Sequence, residues 1–377
     1  MKKSRRTAVL LLIVMIATGL AGCKKQETKA WSPGEQIDKD KIKIGVIYLD
    51  NAESGWSYAH ELGIQRLQRE LQLRDDQIIR KFEVNDSDNV IIEYNISEAL
   101  SEGANIIIAT SWGFMDVCEQ MAAEHPHIIF AHASGYKSND VNFTNYFGRI
   151  YLARYLAGIA AGLRTETGKV GFVAAQDNSN SEVTGGLNAF AIGVESVNPD
   201  ARVYVSVTHS WYHPSFERNS ARALISAGCD VITQHCDTIE PQLAAEQAGV
   251  WGIGWNLDTS DKIKDTLLTS VIWNWGAYYT FLISSVIDGS FTTTPYFGGL
   301  ADGLVDLAPL NGALVAPGTE AAIAEARGRI LNEGFNVFDG LIETNDGRRI
   351  GAEGGTLSDE EITGGIDWYY RNVVTLD

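Results

Sequence analysis

The stretch KIKIGVIYLDNAESGWSYAHELGIQRLQREL, residues 41–71, joins two different periodicities. Residues 41–49 form an apolar, β-branched run without alternation, the pattern of a strand buried on both faces. From Ser54 to Leu71 the apolar residues take helical spacing. A strand buried on both faces needs a layer above it and a layer below. This one stretch therefore predicts a parallel sheet covered by helices.

Working outward, the same unit recurs. QIIRKFEV (77–84), NIIIATS (105–111) and HIIFAHAS (127–134) read as strands, with helices VIIEYNISEALSEG (90–103) and FMDVCEQMAAEHP (114–126) between them. The alternation pauses over residues 136–149 and resumes with the small-residue helix IYLARYLAGIAAGLR (150–164). Strands KVGFVAAQ (169–176), RVYVSVTHS (202–210), DVITQHCD (230–237) and VWGIGWNLD (250–258) follow. Helices VTGGLNAFAIGVESV (183–197), SFERNSARALISAG (215–228) and PQLAAEQAG (241–249) separate them. After about residue 317 the chain reads as helix, then as a hairpin over residues 339–355. The prediction is an α/β protein of two doubly wound parallel-sheet lobes joined by a hinge. Lobe 1 takes residues 41–148 plus about 258–310, because the first unit still lacks edge elements; lobe 2 takes 149–257 plus part of 311–377. A chain of 377 residues suits two domains of about 150 each.

The N-terminus reads differently. MKKSRR carries four positive charges and precedes an apolar run that ends in LAGC, with Cys23 last. The run has signal-peptide length and is short for a membrane span. Small residues before Cys23 resemble a lipobox, so residues 1–22 are expected to be removed and Cys23 to be acylated. Residues 23–40 then read as a polar, lipidated tether on the outer face of the cell membrane. Losing residues 1–22 takes the formal charge from −18 to −22, which argues against a nucleic-acid partner. Cys118, Cys229 and Cys236 remain and read as small buried hydrophobes, with Cys229–Cys236 the one pair worth testing as a disulfide.

Ligands of doubly wound sheets sit outside the carboxyl ends of strands. Six of nine tryptophans fall at or near those ends: Trp56, Trp112, Trp211, Trp255, Trp273 and Trp275. Such a concentration points to a flat or cationic ligand, since indole faces stack on π-rich rings and grip cations. Residues two apart on a strand share a face, so Trp273 is expected to face the cleft with Trp275 packed behind it or lining its edge. Asp237 and Asp258 also fall at strand ends, where each either accepts N–H and O–H donors or caps a helix. His209, His213 and His235 lie near the cleft and are expected to donate or cap. TGGLNAF and GAEGGT lack the spacing of a phosphate loop, and no G-x-S-x-G elbow occurs. The reading is a binding protein, not an enzyme, with no cofactor and no metal.

KIGVIYLDNAESGWSYAHELG, NYFGRIYLARYLAGIAAG, QHCDT before AAEQAGVWGIGWNLD, and LLTSVIWNWGAYY before VIDGSF resemble the basic membrane protein family. These are substrate-binding lipoproteins of ABC transporters, similar to the purine nucleoside receptor type. The resemblance covers about residues 41–290 and implies a type I periplasmic-binding-protein fold. It implies base stacking at Trp56, acidic contacts at Asp237 and Asp258, and a polar contact at Asn188. Nucleoside-binding members carry a ribose-binding lysine on the strand that LTSVIW matches; here Trp273 stands there. That substitution predicts an adenine-like free nucleobase over a nucleoside. The ligand-binding set is therefore Trp56, Trp112, Asn188, Trp211, Asp237, Trp255, Asp258 and Trp273. The expected partners are a small-molecule ligand, an ABC permease and the membrane through a lipid anchor, with the protein a monomer. The alternatives are a surface-anchored sensor signalling to a membrane receptor, a binder of another small aromatic or sugar ligand, or an envelope hydrolase acting on nucleosides.

Overall fold

The computed structural model describes residues 29–376. The expected signal peptide and the acylated Cys23 lie outside them. In the first lobe, β1 (Ile44–Ile47), α1 (Gly55–Leu71), β2 (Ile78–Lys81), α2 (Asn89–Ser101), β3 (Ile106–Ala109), α3 (Met115–Glu124) and β4 (Ile129–Ala133) follow the pattern read from the sequence. All residues of β1, β3 and β4 are buried, as strands covered on both faces must be.

The region 136–149 is not a pause: β5 (Phe143–Gly148) pairs parallel to β4 inside it. Its apolar run is interrupted by Thr144 and Asn145, which hides the strand signal. Both are nonetheless buried, because Thr144 donates to the Thr294 carbonyl (3.2 Å) and Asn145 to the Lys137 carbonyl (3.1 Å).

The chain then enters the second lobe through α4 (Ile150–Arg164). It continues as β6 (Lys169–Ala174), α5 (Ser181–Val197), β7 (Arg202–Val207), α6 (Pro214–Ser226), β8 (Val231–His235), α7 (Glu240–Ala248) and β9 (Trp251–Asn256). The small residues of α4 let it pack backbone to backbone on α5. A Cβ at Gly158 would stand 2.1 Å from the Phe190 carbonyl, and one at Gly193 equally near the Tyr155 carbonyl.

The return to the first lobe is later than expected. Residues 258–273 stay with lobe 2, where β10 (Leu267–Trp273) pairs parallel to β9. Its apolar, β-branched run is buried as an interior strand, so it extends the second sheet and not the first. Only α8 (Trp275–Asp288), lying along α1, and β11 (Tyr296–Gly298), parallel to β5, belong to lobe 1. The chain crosses again to β12 (Val305–Leu307), antiparallel to β10, and continues as α9 (Thr319–Asn332) against α4. The tail adds the antiparallel hairpin β13 (Asp339–Glu343) and β14 (Arg349–Thr356), α10 (Asp359–Gly364) on α5, and β15 (Val373–Thr375) beside β7. The two main sheets run β11-β5-β4-β3-β1-β2 and β12-β10-β9-β8-β6-β7-β15. Three passages of chain between them form the hinge.

The described part of the expected tether is not free. Trp31 buries its indole edge-on to Phe291 (5.9 Å), and Ile37 donates to the Val286 carbonyl (3.2 Å). An exposed indole would leave a large apolar area in water, so residues 31–38 fold down onto lobe 1. Cys118, Cys229 and Cys236 are free and buried, and the Cys229–Cys236 bridge is not formed.

Candidate functional site

Each sheet reverses its strand order beside its first strand: β1 lies between β2 and β3, and β6 between β7 and β8. Connections leave such a point toward opposite faces and open a crevice at the strand ends. From the first lobe this brings in Leu49 after β1, Trp56 on the first turn of α1, and Ser111 and Trp112 after β3. From the second it brings in Ser179 and Asn180 between β6 and α5, Ser181 and Glu182 on the first turn of α5, His235 at the end of β8, and Asp237. With Asp86, Ser134, Phe147, Trp211, Trp255 and Thr363 they line a cavity of about 450 Å³.

The aromatic walls are fixed from behind. Trp56 donates its Nε1–H to the Thr110 carbonyl (2.7 Å) and stands edge-on to His60 (4.6 Å) and Trp275 (5.5 Å). Trp255 lies over the Arg154 guanidinium, 3.7 Å from ring centre to Cζ. Arg154 is fully buried, and its Nη2–H donates to the Gln234 carbonyl (2.8 Å). Burial pushes its pKa far down, with Cys236 and Glu182 acting against the fall.

The polar walls are acidic. Asp86 accepts the Ser111 hydroxyl (2.6 Å). Asp237 accepts Asn256 Nδ2 on one carboxyl oxygen (2.8 Å), and burial holds its pKa well above the usual carboxylate range. Burial pushes Glu182 up to about 7, with the Arg154 charge acting against the rise. His235 is 1% exposed, and its Nε2 lies 3.6 Å from Glu182 Oε1. Burial, then the neighbouring Arg154 charge, keep the imidazole neutral. Among the described residues, no lysine or arginine lines the cavity.

The lobes touch across this cleft. The Gly55 N–H at the start of α1 donates to the Asp237 carbonyl at 2.9 Å. The conformation is closed at that point. A second cavity of about 710 Å³ lies beyond it, sharing Asp237 and Trp255 with the first.

Comparison with known proteins decides the family. The family model for PnrA-like ABC transporter substrate-binding proteins, Bmp, matches residues 41–333. A purine-binding protein of Brucella abortus (strain 2308) is 32% identical over 336 residues, covering 89% of this chain and 93% of that protein. The chain belongs to the Bmp family. A putative ABC transporter glucose-binding protein of Haloferax volcanii is also 32% identical, over 309 residues covering 82% of this chain and 76% of that protein. An ABC transporter solute-binding protein from Conexibacter woesei superposes with a TM-score of 0.67 at 18% identity, covering 78% of this chain and 98% of that one. That likeness establishes the type I fold.

Bmp proteins are extracytoplasmic substrate-binding components of ABC transporters, not enzymes, so the partners are a small ligand and a transporter. Among the described residues no helix is long and apolar enough to cross a membrane. Of the eight residues singled out in this Bmp sequence, five meet around the first cavity: Trp56, Trp112, Trp211, Asp237 and Trp255. Asp258 does not. It lines the second cavity, is exposed, and accepts the Ser260 N–H (2.9 Å), the capping role open to any aspartate before a turn. Asn188 is buried away from the cleft. It donates to the Trp368 carbonyl (2.7 Å) and accepts the Tyr370 N–H (2.8 Å), tying the tail to α5. Trp273 is 4% exposed and does not face the cavity. It stacks on Trp275 (4.4 Å, 11°) and backs Phe147 (5.0 Å), because β10 ends inside the hinge and not at the cleft surface. Sequence reasoning missed Glu182, Asp86 and Phe147 as cavity residues. Phe147 precedes Gly148 at the end of the missed strand β5; Asp86 sits on a connection without any periodic signal, and Glu182 on the polar first turn of α5.

Proposed function

We propose that this Bmp protein captures a purine-type ligand between its lobes and delivers it to an ABC permease, favouring an adenine-like free base over a nucleoside. The observation that carries this is an aromatic cavity with three carboxyl groups, Asp86, Glu182 and Asp237, and no facing cation. Carboxylates need N–H or O–H donors. A purine supplies N–H groups on its edge and a face for Trp56 or Trp255. A nucleotide phosphate finds no lysine or arginine among the described lining residues to pair with. The free base is favoured because no cation is placed to engage a ribose diol. The wall nearest β10 is Phe147 with the Trp273 indole filling the space behind it.

Ligand binding between the lobes stabilises the closed form, which is the form a permease reads. The protein acts as a monomer, held at the extracytoplasmic side of the membrane by lipid on Cys23. Cys23→Ser is expected to release it into the soluble fraction.

Calorimetric titration with adenine, guanine, hypoxanthine and adenosine tests the ligand. Adenine is expected to bind tightest; adenosine binding more tightly than adenine rejects the free-base reading. A sugar ligand is the second reading, favoured by the similarity to the putative glucose-binding protein of Haloferax volcanii and by tryptophan faces, which also stack on sugars. Glucose titration in the same buffer separates the two.

A further inference from the structure

His235 is a buried group that the fold leaves unsatisfied. It is 1% exposed, and neither ring nitrogen meets a hydrogen-bond partner among the described residues. Buried polar side chains are paired in the great majority of cases, so an unpaired imidazole in a cavity wall marks a place for a ligand. Its neighbour in that wall is Glu182, on the first turn of α5. At 3.6 Å, His235 Nε2 and Glu182 Oε1 are too far apart to satisfy each other, yet near enough for adjacent atoms of one heterocycle edge to reach both.

The surroundings fix both groups. His235 packs against Trp255 (4.2 Å between ring centres) and edge-on to Trp211 (5.9 Å). Gly186 brings α5 close beneath: a Cβ there would stand 3.4 Å from His235 Nδ1 and 3.6 Å from Arg154 Nε. The Arg154 cation below favours a neutral imidazole, which offers one donor and one acceptor. Glu182 adds an acceptor with no hydrogen-bond donor of its own among the described residues.

We infer that Glu182 and His235 read the 6-position edge of the base, Glu182 accepting the exocyclic N–H and His235 meeting the adjacent ring nitrogen. This rests on the purine reading of the cavity and names the atoms that choose among purines. An amino-purine presents an N–H donor beside a ring-nitrogen acceptor on that edge, whereas an oxo-purine presents a carbonyl acceptor. Above the Glu182 pKa of about 7 its carboxylate opposite a carbonyl leaves two acceptors facing each other, which a site built on hydrogen bonds rejects strongly.

The test is titration at pH 8, where Glu182 is ionised, of the wild type, Glu182→Gln, His235→Asn and His235→Phe with adenine and with hypoxanthine. The wild type is expected to prefer adenine by at least about tenfold. Glu182→Gln keeps the shape but can turn its amide N–H toward a carbonyl, so the adenine-to-hypoxanthine ratio should fall at least tenfold. His235→Asn, which keeps a donor and an acceptor, should retain more adenine affinity than His235→Phe. Two results overturn the inference while leaving the purine reading intact: an unchanged ratio in Glu182→Gln, or equal weakening of both ligands, which is the mark of a merely structural role. Glucose binding to the wild type without any purine binding overturns both. Melting temperatures of the variants, measured alongside, report whether each is folded.

Discussion

Trp56 shows how one residue serves packing and binding together. Its Nε1–H is committed to the Thr110 carbonyl, and its edge rests against the His60 and Trp275 rings, so the ring is oriented before any ligand arrives. Trp56→Ala should weaken adenine binding by roughly 1–3 kcal/mol, the range for loss of a base-stacking ring; calorimetry checks this, and Trp56→Phe should recover part of it. Glu182 carries a second residue-scale prediction. Its pKa in the folded protein is raised to about 7 from 4.5, so between those values the folded state holds a proton that the unfolded chain has released. Stability of the ligand-free protein is therefore full below about pH 4.5 on this account and falls as pH rises through 7. The loss is at most about 3 kcal/mol. It should be smaller in practice, because 25% of the side chain stays open to solvent. Asp237, also raised by burial, acts in the same direction. Melting temperature against pH should slope downward from pH 5.5 to 8, and Glu182→Gln should flatten the slope.

At the scale of elements, the WNW sequence at the junction of β10 and α8 makes an aromatic stack in the hinge. Trp273 and His60 both lie parallel to Trp275 at 4.4 Å, and Phe147 leans on Trp273. Trp275 is fully buried, so Trp275→Ala should cost about 3–5 kcal/mol of unfolding free energy by leaving a cavity. Trp112→Ala, at an exposed rim, should cost less than about 0.5 kcal/mol of stability. Chemical denaturation of the two variants measures the contrast. The same elements show what the sequence could reveal. Strand ends are legible because periodicity changes there, and the rule for doubly wound sheets then selects Trp56, Trp112, Trp211, Asp237 and Trp255. Trp273 also falls at a strand end, but its strand ends in the hinge, and only the three-dimensional crossing tells a hinge from a cleft. Asn188 is placed at the site by the family resemblance alone, and the tail that instead occupies it returns from 180 residues away. Glu182 was invisible for a related reason: its importance comes from Arg154 and His235, which reach it from α4 and β8.

At the scale of the whole molecule, ligand capture depends on how closely the lobes approach. The contact that sets this approach is backbone on backbone: Gly55 N–H of lobe 1 to the Asp237 carbonyl of lobe 2 at 2.9 Å. A side chain at Gly55 would intrude on it, since a Cβ would stand 3.1 Å from that carbonyl oxygen and 3.2 Å from Asn256 Nδ2. Both distances are tighter than ordinary van der Waals contact, and neither neighbour moves freely. The carbonyl belongs to the cleft wall, and Asn256 is fully buried and holds the Asp237 carboxyl. Closure can then proceed only with the lobes held slightly apart. The open state contains none of these contacts and is unaffected. Gly55→Ala should therefore act on the open–closed equilibrium, not on folding. A ligand shifts such an equilibrium only by its difference in affinity for the two states, so a penalty on closure appears directly as lost affinity. The expected result is a fall in adenine affinity of about 1–2 kcal/mol, within the usual range of coupling energies, with melting temperature of the ligand-free protein nearly unchanged. Small-angle scattering supplies the independent check: the wild type should contract on adding saturating adenine, and Gly55→Ala should contract less at equal occupancy. Equal contraction in both proteins would place the limit on closure elsewhere, in the packed Trp273–Trp275 hinge.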